Sequence, residues 1–334
     1  MPSASQLDLS NNFIGGHYED DGYDSDTCDY VQKFVADPEG VQAIACALRV
    51  NGALTVTNLL HNQLDEASAK MLAEVAKQKG ISLCGIQRDQ TTADLSGHAL
   101  QPPDAILLAS DLSQAVVTGV LTSLNLSKNQ LCGLNFLGTG TYTAEGITAI
   151  AVALRVNGAL TVTNLLGNRL DWKSAKLLAE VAKQKGISLC GIQRDQTTAD
   201  FRRRLQLLDA ILLASDLSQA VVTGALTSLD LSNNALCGVA QDPFGGVSGT
   251  YTAEGITAIA DALRVNGGLT KISLAGNKLG EEGTKAICEA LKQNKILKEL
   301  DLSGYVGSTN IGGAAGAKHV SDMLGVNGAL TKIE

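Results

Sequence analysis

Residues Leu121–Gly133 read LTSLNLSKNQLCG, and Leu226–Gly238 read LTSLDLSNNALCG. The stretch Val41–Asp94 likewise returns almost residue for residue as Ile147–Asp200. Self-similarity at a fixed spacing decides an architecture before any other signal does. The long period divides the chain into three blocks, about 1–120, 121–225 and 226–334, read as one domain over 1–334. A shorter period places about nine units inside those blocks, each opening with a related kernel: LTVTNLLGNRL at Leu160, ISLCGIQRDQT at Ile187, LTKISLAGNKL at Leu269. So short a unit cannot bury its own apolar face, so neighbours must stack to build a core.

Within the kernel, alternation along a short strand sends Leu124 and Leu126 inward and Asn125 outward. An apolar helical stretch separates successive kernels, as in AEGITAIAVALRVN over Ala144–Asn157, where Ile147, Ile150, Ala151 and Leu154 share a face. A helical crossover between strands makes them parallel. Gly158 then supplies a stop. The expected result is an α/β solenoid with the sheet inside and the helices outside, curved because helices are wider than strands. Asn recurs three residues after the second inward leucine, at Asn12, Asn62, Asn129, Asn168, Asn234 and Asn277. A side chain that both donates and accepts can satisfy backbone groups left open by the bend. In two units Asp89 and Asp195 take its place; a carboxylate only accepts, so those joints are expected to be weaker.

The pattern LxxLxLxxNxL followed by a helix closing in ALRVNGALT (Ala153–Thr161) resembles the leucine-rich repeats of the ribonuclease-inhibitor type. That group includes ribonuclease inhibitor, NOD-like receptor repeat regions and Ran GTPase-activating proteins. The resemblance implies a horseshoe with a parallel β-sheet on the concave face, helices on the convex face, and recognition of proteins. Units opening at Leu54, Leu160 and Leu269 have the compact length of this type, about 28 residues. The others carry extra residues between the bend and the helix: Gly15–Gly40, Thr91–Pro103, Gly133–Thr143, Thr197–Leu208, Gly238–Thr252 and Gly304–Gly316. These form one loop edge, either a binding rim or tolerated duplications.

Outward strand positions supply the candidate contact residues for a protein partner: Asp8, Asn58, Leu60, His61, Gln87, Arg88, Asn125, Lys128, Asn164, Leu166, Gln193, Arg194, Asp230, Asn233 and Asp301. Val56/Leu60 and Val162/Leu166 form two apolar spots among them. Arg88 and Arg194 lie one block apart, each able to grip a carboxylate. A solvated sheet would show the same polar residues without a partner.

A formal charge of −8 is concentrated between Gly15 and Gly40, where Glu19, Asp20, Asp21, Asp24, Asp26, Asp29, Asp37 and Glu39 face Lys33 alone. Glu19, Asp20, Asp21, Asp24 and Asp26 form an acidic insert suited to steering a basic surface. No basic stripe suits nucleic acid, and the most apolar run, Ala105–Val117, is broken by Asp111 and Gln114, so no membrane span is expected. No signal peptide is expected, since Met1 runs straight into a repeat kernel at Gln6–Ile14. Most of the seven cysteines read as small buried thiols rather than a disulfide framework, in a reducing, cytoplasmic setting. His17, His61, His98 and His319 are scattered without a nucleophile or metal partner, and DDGYDSD at Asp20–Asp26 has its glycine out of place for a calcium loop and no glutamate to close it. The expectation is no catalytic residue, no metal and no cofactor. Both ends open on repeat kernels without polar caps, so the expectation is either a piece of a longer array or ends covered by self-association or a larger assembly. The leading expectation is a non-catalytic interaction scaffold that uses the concave sheet and the loop edge. The alternatives are a GTPase-activating protein of the Ran type and a structural subunit of an assembly.

Overall fold

Leucine alternation produces the strands, and the helix between them produces their parallel pairing. The computed structural model describes the chain apart from residues 1–4, 25–28, 136, 242–246 and 305–308; the side chains of 20–33, 240, 241 and 247 are also outside the description. Two compact units are formed, 1–124 with 128–160 and 125–127 with 161–334.

The first unit runs β1 (Gln6–Asp8), the antiparallel hairpin β2 (Gly16–Asp24) and β3 (Asp29–Ala36), α1 (Glu39–Val50), β4 (Val56–Asn58), α2 (Glu66–Lys79), β5 (Thr92–Asp94), α3 (Pro102–Leu112), α4 (Ala115–Thr118), β6 (Ser123–Asn125) and α5 (Glu145–Val156). β1 and β4 pair in parallel, Asp8 opposite Asn58. The β6 end is tied to β5 by the amides of Thr122 and Ser123, both donating to Thr91 O (2.8 and 3.2 Å). Helices α1, α2, α3 and α5 pack in sequence.

The second unit holds β7 (Val162–Asn164), α6 (Trp172–Lys185), β8 (Thr198–Asp200), α7 (Asp209–Leu217), α8 (Ala220–Thr223), β9 (Ser228–Asp230), the hairpin β10 (Val239–Gln241) and β11 (Val247–Gly249), α9 (Glu254–Val265), β12 (Lys271–Ser273), α10 (Gly280–Leu291), β13 (Glu299–Asp301), α11 (Gly313–Leu324) and β14 (Lys332–Ile333). Five of these strands form one parallel sheet in the order β8, β9, β12, β13, β14. Its central residues Ala199, Leu229, Ile272 and Leu300 are in register and buried. The predicted helix at Ala144–Asn157 is α5, capped by those two residues, with Ile147, Ile150, Ala151 and Leu154 buried.

The asparagine column is a ladder. Asn62 takes the amide of Asn12 on Oδ1 (2.9 Å) and donates Nδ2 to Leu9 O and Leu59 O (2.8 and 2.9 Å). Asn234 does the same for Arg204, Leu205, Phe201 and Leu231. One side chain thus satisfies backbone groups of two successive coils. Asn310, not predicted, belongs to the column: it accepts from Asn277 N (2.9 Å) and donates to Leu274 O and Leu302 O. Asn12 does not clasp a second coil; it is exposed and donates only to nearby Ser10 O.

Two expectations require correction. The kernels at Ile81 and Ile187 are not regular strands. Ser82 and Cys84 make only isolated bridges to β4, and Ser188 and Cys190 to β7. The strands β5 and β8 lie further on, inside stretches read as insertions, Thr91–Pro103 and Thr197–Leu208. Asp89 and Asp195 do not replace the bend asparagine. Gln90 and Gln196 close those turns instead, accepting from Gln87 N and Gln193 N (3.1 Å each).

The irregular coils are held by carboxylates from below. Asp111, wholly buried in α3, accepts from Ser82 Oγ (2.7 Å), Leu83 N (2.8 Å) and Cys84 N (3.1 Å). Asp216 in α7 repeats the set with Ser188, Leu189 and Cys190. Burial outweighs these donors and raises the carboxyls to about 7 and about 6. One helical register earlier, Asp104 and Asp209 cap their own helices and take the amides of His61 and Gly167.

Candidate strand-face site

The second unit's sheet presents two outward rows, because register places every other residue on the same side. One row is Thr198, Ser228, Lys271, Glu299 and Lys332; the other is Asp200, Asp230, Ser273 and Asp301. Lys271 Nζ meets Glu299 at 3.1 Å, and Lys332 is paired with Glu334. Arg202 reaches both Asp200 (2.7 Å) and Asp230 (3.4 Å). Its hydrogen bonds hold the Asp200 carboxyl down at about 2. At Asp301 burial pushes upward, but the donors Ser303 and Ser273 prevail and lower it. Between the rows lies an open groove of about 420 Å³ lined by Asp230, Asn233, Lys271, Glu299, Asp301 and Lys332 among others.

The groove brings together the predicted Asp230, Asn233 and Asp301. Lys271, Glu299 and Lys332 were missed, although strict alternation one step back from Ser273 and Asp301 would have found the first two. Arg202 had no signal, since its counterpart in the earlier block is Ser96.

In the first unit Asp8 and Asn58 are neighbours, and Gln87 accepts from Gln6 Nε2 (2.8 Å). Leu60 and Leu166 are not accessible: they are 4% and 6% exposed, and Val56 and Val162 are buried too. The strand-end Asn curls the chain early, Asn58 Oδ1 taking Leu60 N and Asn164 Oδ1 taking Leu166 N (3.2 Å each). That Asx turn sweeps the following residue off the strand line. Asp8, Asn125, Asp230 and Asp301 make the same turn with Ser10, Ser127, Ser232 and Ser303. Each of these polar side chains therefore has a structural partner already.

His61, Lys128 and Asn233 precede the ladder asparagine with φ of 61, 59 and 61°. Gly167 and Gly276 fill that place in other units, with φ of 73 and 65°. Left-handed backbone is what the position requires. Gln87, Arg88, Gln193 and Arg194 lie in turns rather than on strands. Arg88 and Arg194 are committed to the helix-end carbonyls of Gly80 and Gly186 (3.0 and 3.2 Å), not to a partner's carboxylate across a sheet. In the acidic insert, exposed Glu19 lies 3.1 Å from His17 Nε2; the side chains of Asp20, Asp21, Asp24 and Asp26 lie outside the described residues.

Cys84 and Cys190 are buried beside Asp111 and Asp216, and desolvation first, then those carboxylates, raises both thiols well above their ordinary range. The described cysteines Cys46, Cys84, Cys132, Cys190, Cys237 and Cys288 are free thiols. Among the described residues no cluster of His, Cys, Asp and Glu is arranged to hold a metal, and no helix is long and apolar enough to cross a membrane.

The family model of the Leucine Rich Repeat matches residues 225–247, the kernel around β9. Ribonuclease inhibitor of Sus scrofa is 27% identical over 89% of this chain and 67% of its own length. The chain is similar to leucine-rich repeat proteins of the ribonuclease-inhibitor type. NACHT, LRR and PYD domains-containing protein 5 of Bos taurus is 27% identical over 76% of this chain, and protein 13 of that name from Homo sapiens is 27% identical over 74%. The chain spans about a quarter of the length of each of those two, 24% and 26%.

Proposed function

We propose that the protein is a non-catalytic binding module that holds a protein partner on the open strand side of the second unit. One observation carries the reading: the two charged rows flank an open groove over five paired strands, with Lys271, Glu299, Lys332, Asp200 and Asp230 on one accessible side. Charge rows of both signs specify register and partner more than they add affinity. The buried Asp111, Asp216, Cys84 and Cys190 are sealed in the core, where no substrate meets them. The acidic insert adds long-range attraction for a basic partner surface.

The immobilised full chain, incubated with extract from its native source, should capture a protein that Asp230→Lys combined with Lys332→Glu no longer holds. Val156→Ser, on another surface, should retain it. Capture that is identical for all three chains would end the strand-face reading. Neutralising Glu19, Asp20 and Asp21 should slow association at low salt and leave dissociation unchanged.

A further inference from the structure

A different surface, at the helix ends, combines cations with uncovered aliphatic side chains. Helix α2 ends in Lys77 and Lys79 before left-handed Gly80, and α6 ends in Lys183 and Lys185 before Gly186. The hydrogen bonds of Arg88 to Gly80 O and of Arg194 to Gly186 O fix a third cation at each end. An exposed valine lies over each glycine. A Cβ built on Gly80 would meet Val116 Cγ1 at 3.2 Å, and one on Gly186 would meet Val221 Cγ1 at 3.2 Å.

Buried asparagines attach the next helix end. Asn157 Nδ2 donates to Leu112 O (2.9 Å) and Thr118 Oγ1 (3.3 Å), which sets Arg155 and Val156 beside the α4 turn. Asn266 makes the same bonds to Leu217 O and Thr223 Oγ1, setting Arg264 and Val265. Val116, Val156, Val221 and Val265 are 53, 64, 52 and 68% exposed. Compensation of the helix dipole accounts for a cation in a last turn. It does not account for two bare valines beside it. Among the described residues Lys77, Lys79, Arg88 and Arg155 take part in no ion pair, whereas Arg264 shares Asp261 (3.4 Å).

We propose that each unit carries at this edge a docking site for an acidic peptide segment bearing branched aliphatic side chains. Carboxylates of the peptide meet the unpaired cations, and its aliphatic side chains lie between the valines. Charge complementarity selects the occupant. A membrane surface is the poorer match, because neither patch carries the aromatic or leucine side chains that insert into a bilayer interface. The first unit's site is the stronger one, since Asp261 competes for Arg264 in the second.

The test is fluorescence anisotropy of a labelled peptide alternating Glu with Val, titrated with the full chain at low salt. Saturable binding at two sites is expected, weakened by added salt. Arg155→Glu with Val116→Ser should weaken the tighter site by about tenfold or more, and Arg264→Glu with Val221→Ser the other. All four positions are exposed, so thermal unfolding should match that of the unaltered chain. Asp230→Lys should change nothing here, which separates this site from the strand face. Absent or non-saturable binding, indifference to the helix-end variants, equal binding of a Lys–Val peptide, or preference for phosphatidylserine vesicles over the peptide would each overturn the proposal.

Discussion

Two ways of closing a coil stand side by side in this protein. At the regular bends a buried asparagine clasps two successive coils, as Asn234 and Asn310 do. At the coils following Ile81 and Ile187 the clasp is a buried aspartate reaching up from a helix, Asp111 or Asp216. The asparagine both gives and accepts and is neutral at any pH. The aspartate, once ionised, only accepts, so it suits a coil that offers amides and a hydroxyl rather than carbonyls, and it brings a titration into the core. Equivalent places in a repeat are thus held by different chemistry, with different responses to mutation and pH.

The largest effect should come from removing the aspartate clasp. Asp111→Ala leaves Leu83 N, Cys84 N and Ser82 Oγ short of a buried acceptor, a loss of about 3–5 kcal/mol in urea unfolding. A loss under about 1 kcal/mol would show that the coil finds other partners. Asn310→Ala should cost about 2–3 kcal/mol, while Asn12→Ala, which removes one exposed bond, should stay within about 0.5 kcal/mol. Equal costs for these two would refute the two-coil clasp.

Acidity sharpens the same contrast. The folded chain keeps a proton on Asp111 up to about pH 7 that the unfolded chain releases near its ordinary 3.8. Its share of stability is therefore fully present below about pH 4, declines as pH rises, and is gone above about pH 7, at about 1.4 kcal/mol per pH unit for one proton. Asp216 follows the same sign but finishes at about 6. Unfolding measured from pH 4 to 8 should lose its slope between 6 and 7 in Asp111→Asn and keep it in Asp216→Asn. A small effect of opposite sign belongs to His61→Gly, which relieves left-handed backbone and should leave stability unchanged or raise it by up to about 1 kcal/mol.

Much of this architecture was legible in the repeats. Period-2 leucines located β6, β9 and β13, period-3.6 residues located α5, and the recurring asparagine announced a ladder. The kernel at Ile81 misled because ISLCGIQRDQT copies the spacing of its neighbours. Its divergence lies in which backbone groups face Asp111, and a contact between Ser82 and Asp111 leaves no trace in local periodicity. The second asparagine row, Asn157 and Asn266 at the helix ends, was in plain view in ALRVNGALT, but a C-cap and a clasp look alike as letters. The strand-face site was half visible: Asp230, Asn233 and Asp301 by alternation, Arg202 not at all, because a long flexible side chain chooses its carboxylates only once β8 and β9 are paired.

Periodicity by itself determined the element types, the parallel pairing and the inward leucines, since a repeated pattern of apolar residues admits one way to share a core among neighbours. Only the tertiary structure decided which polar groups remain free. The Asx turns bury Leu60, the helix-end carbonyls occupy Arg88 and the core claims Asp111. Those assignments depend on distances between residues far apart in the chain, and hydrogen bonds are satisfied in space rather than in sequence.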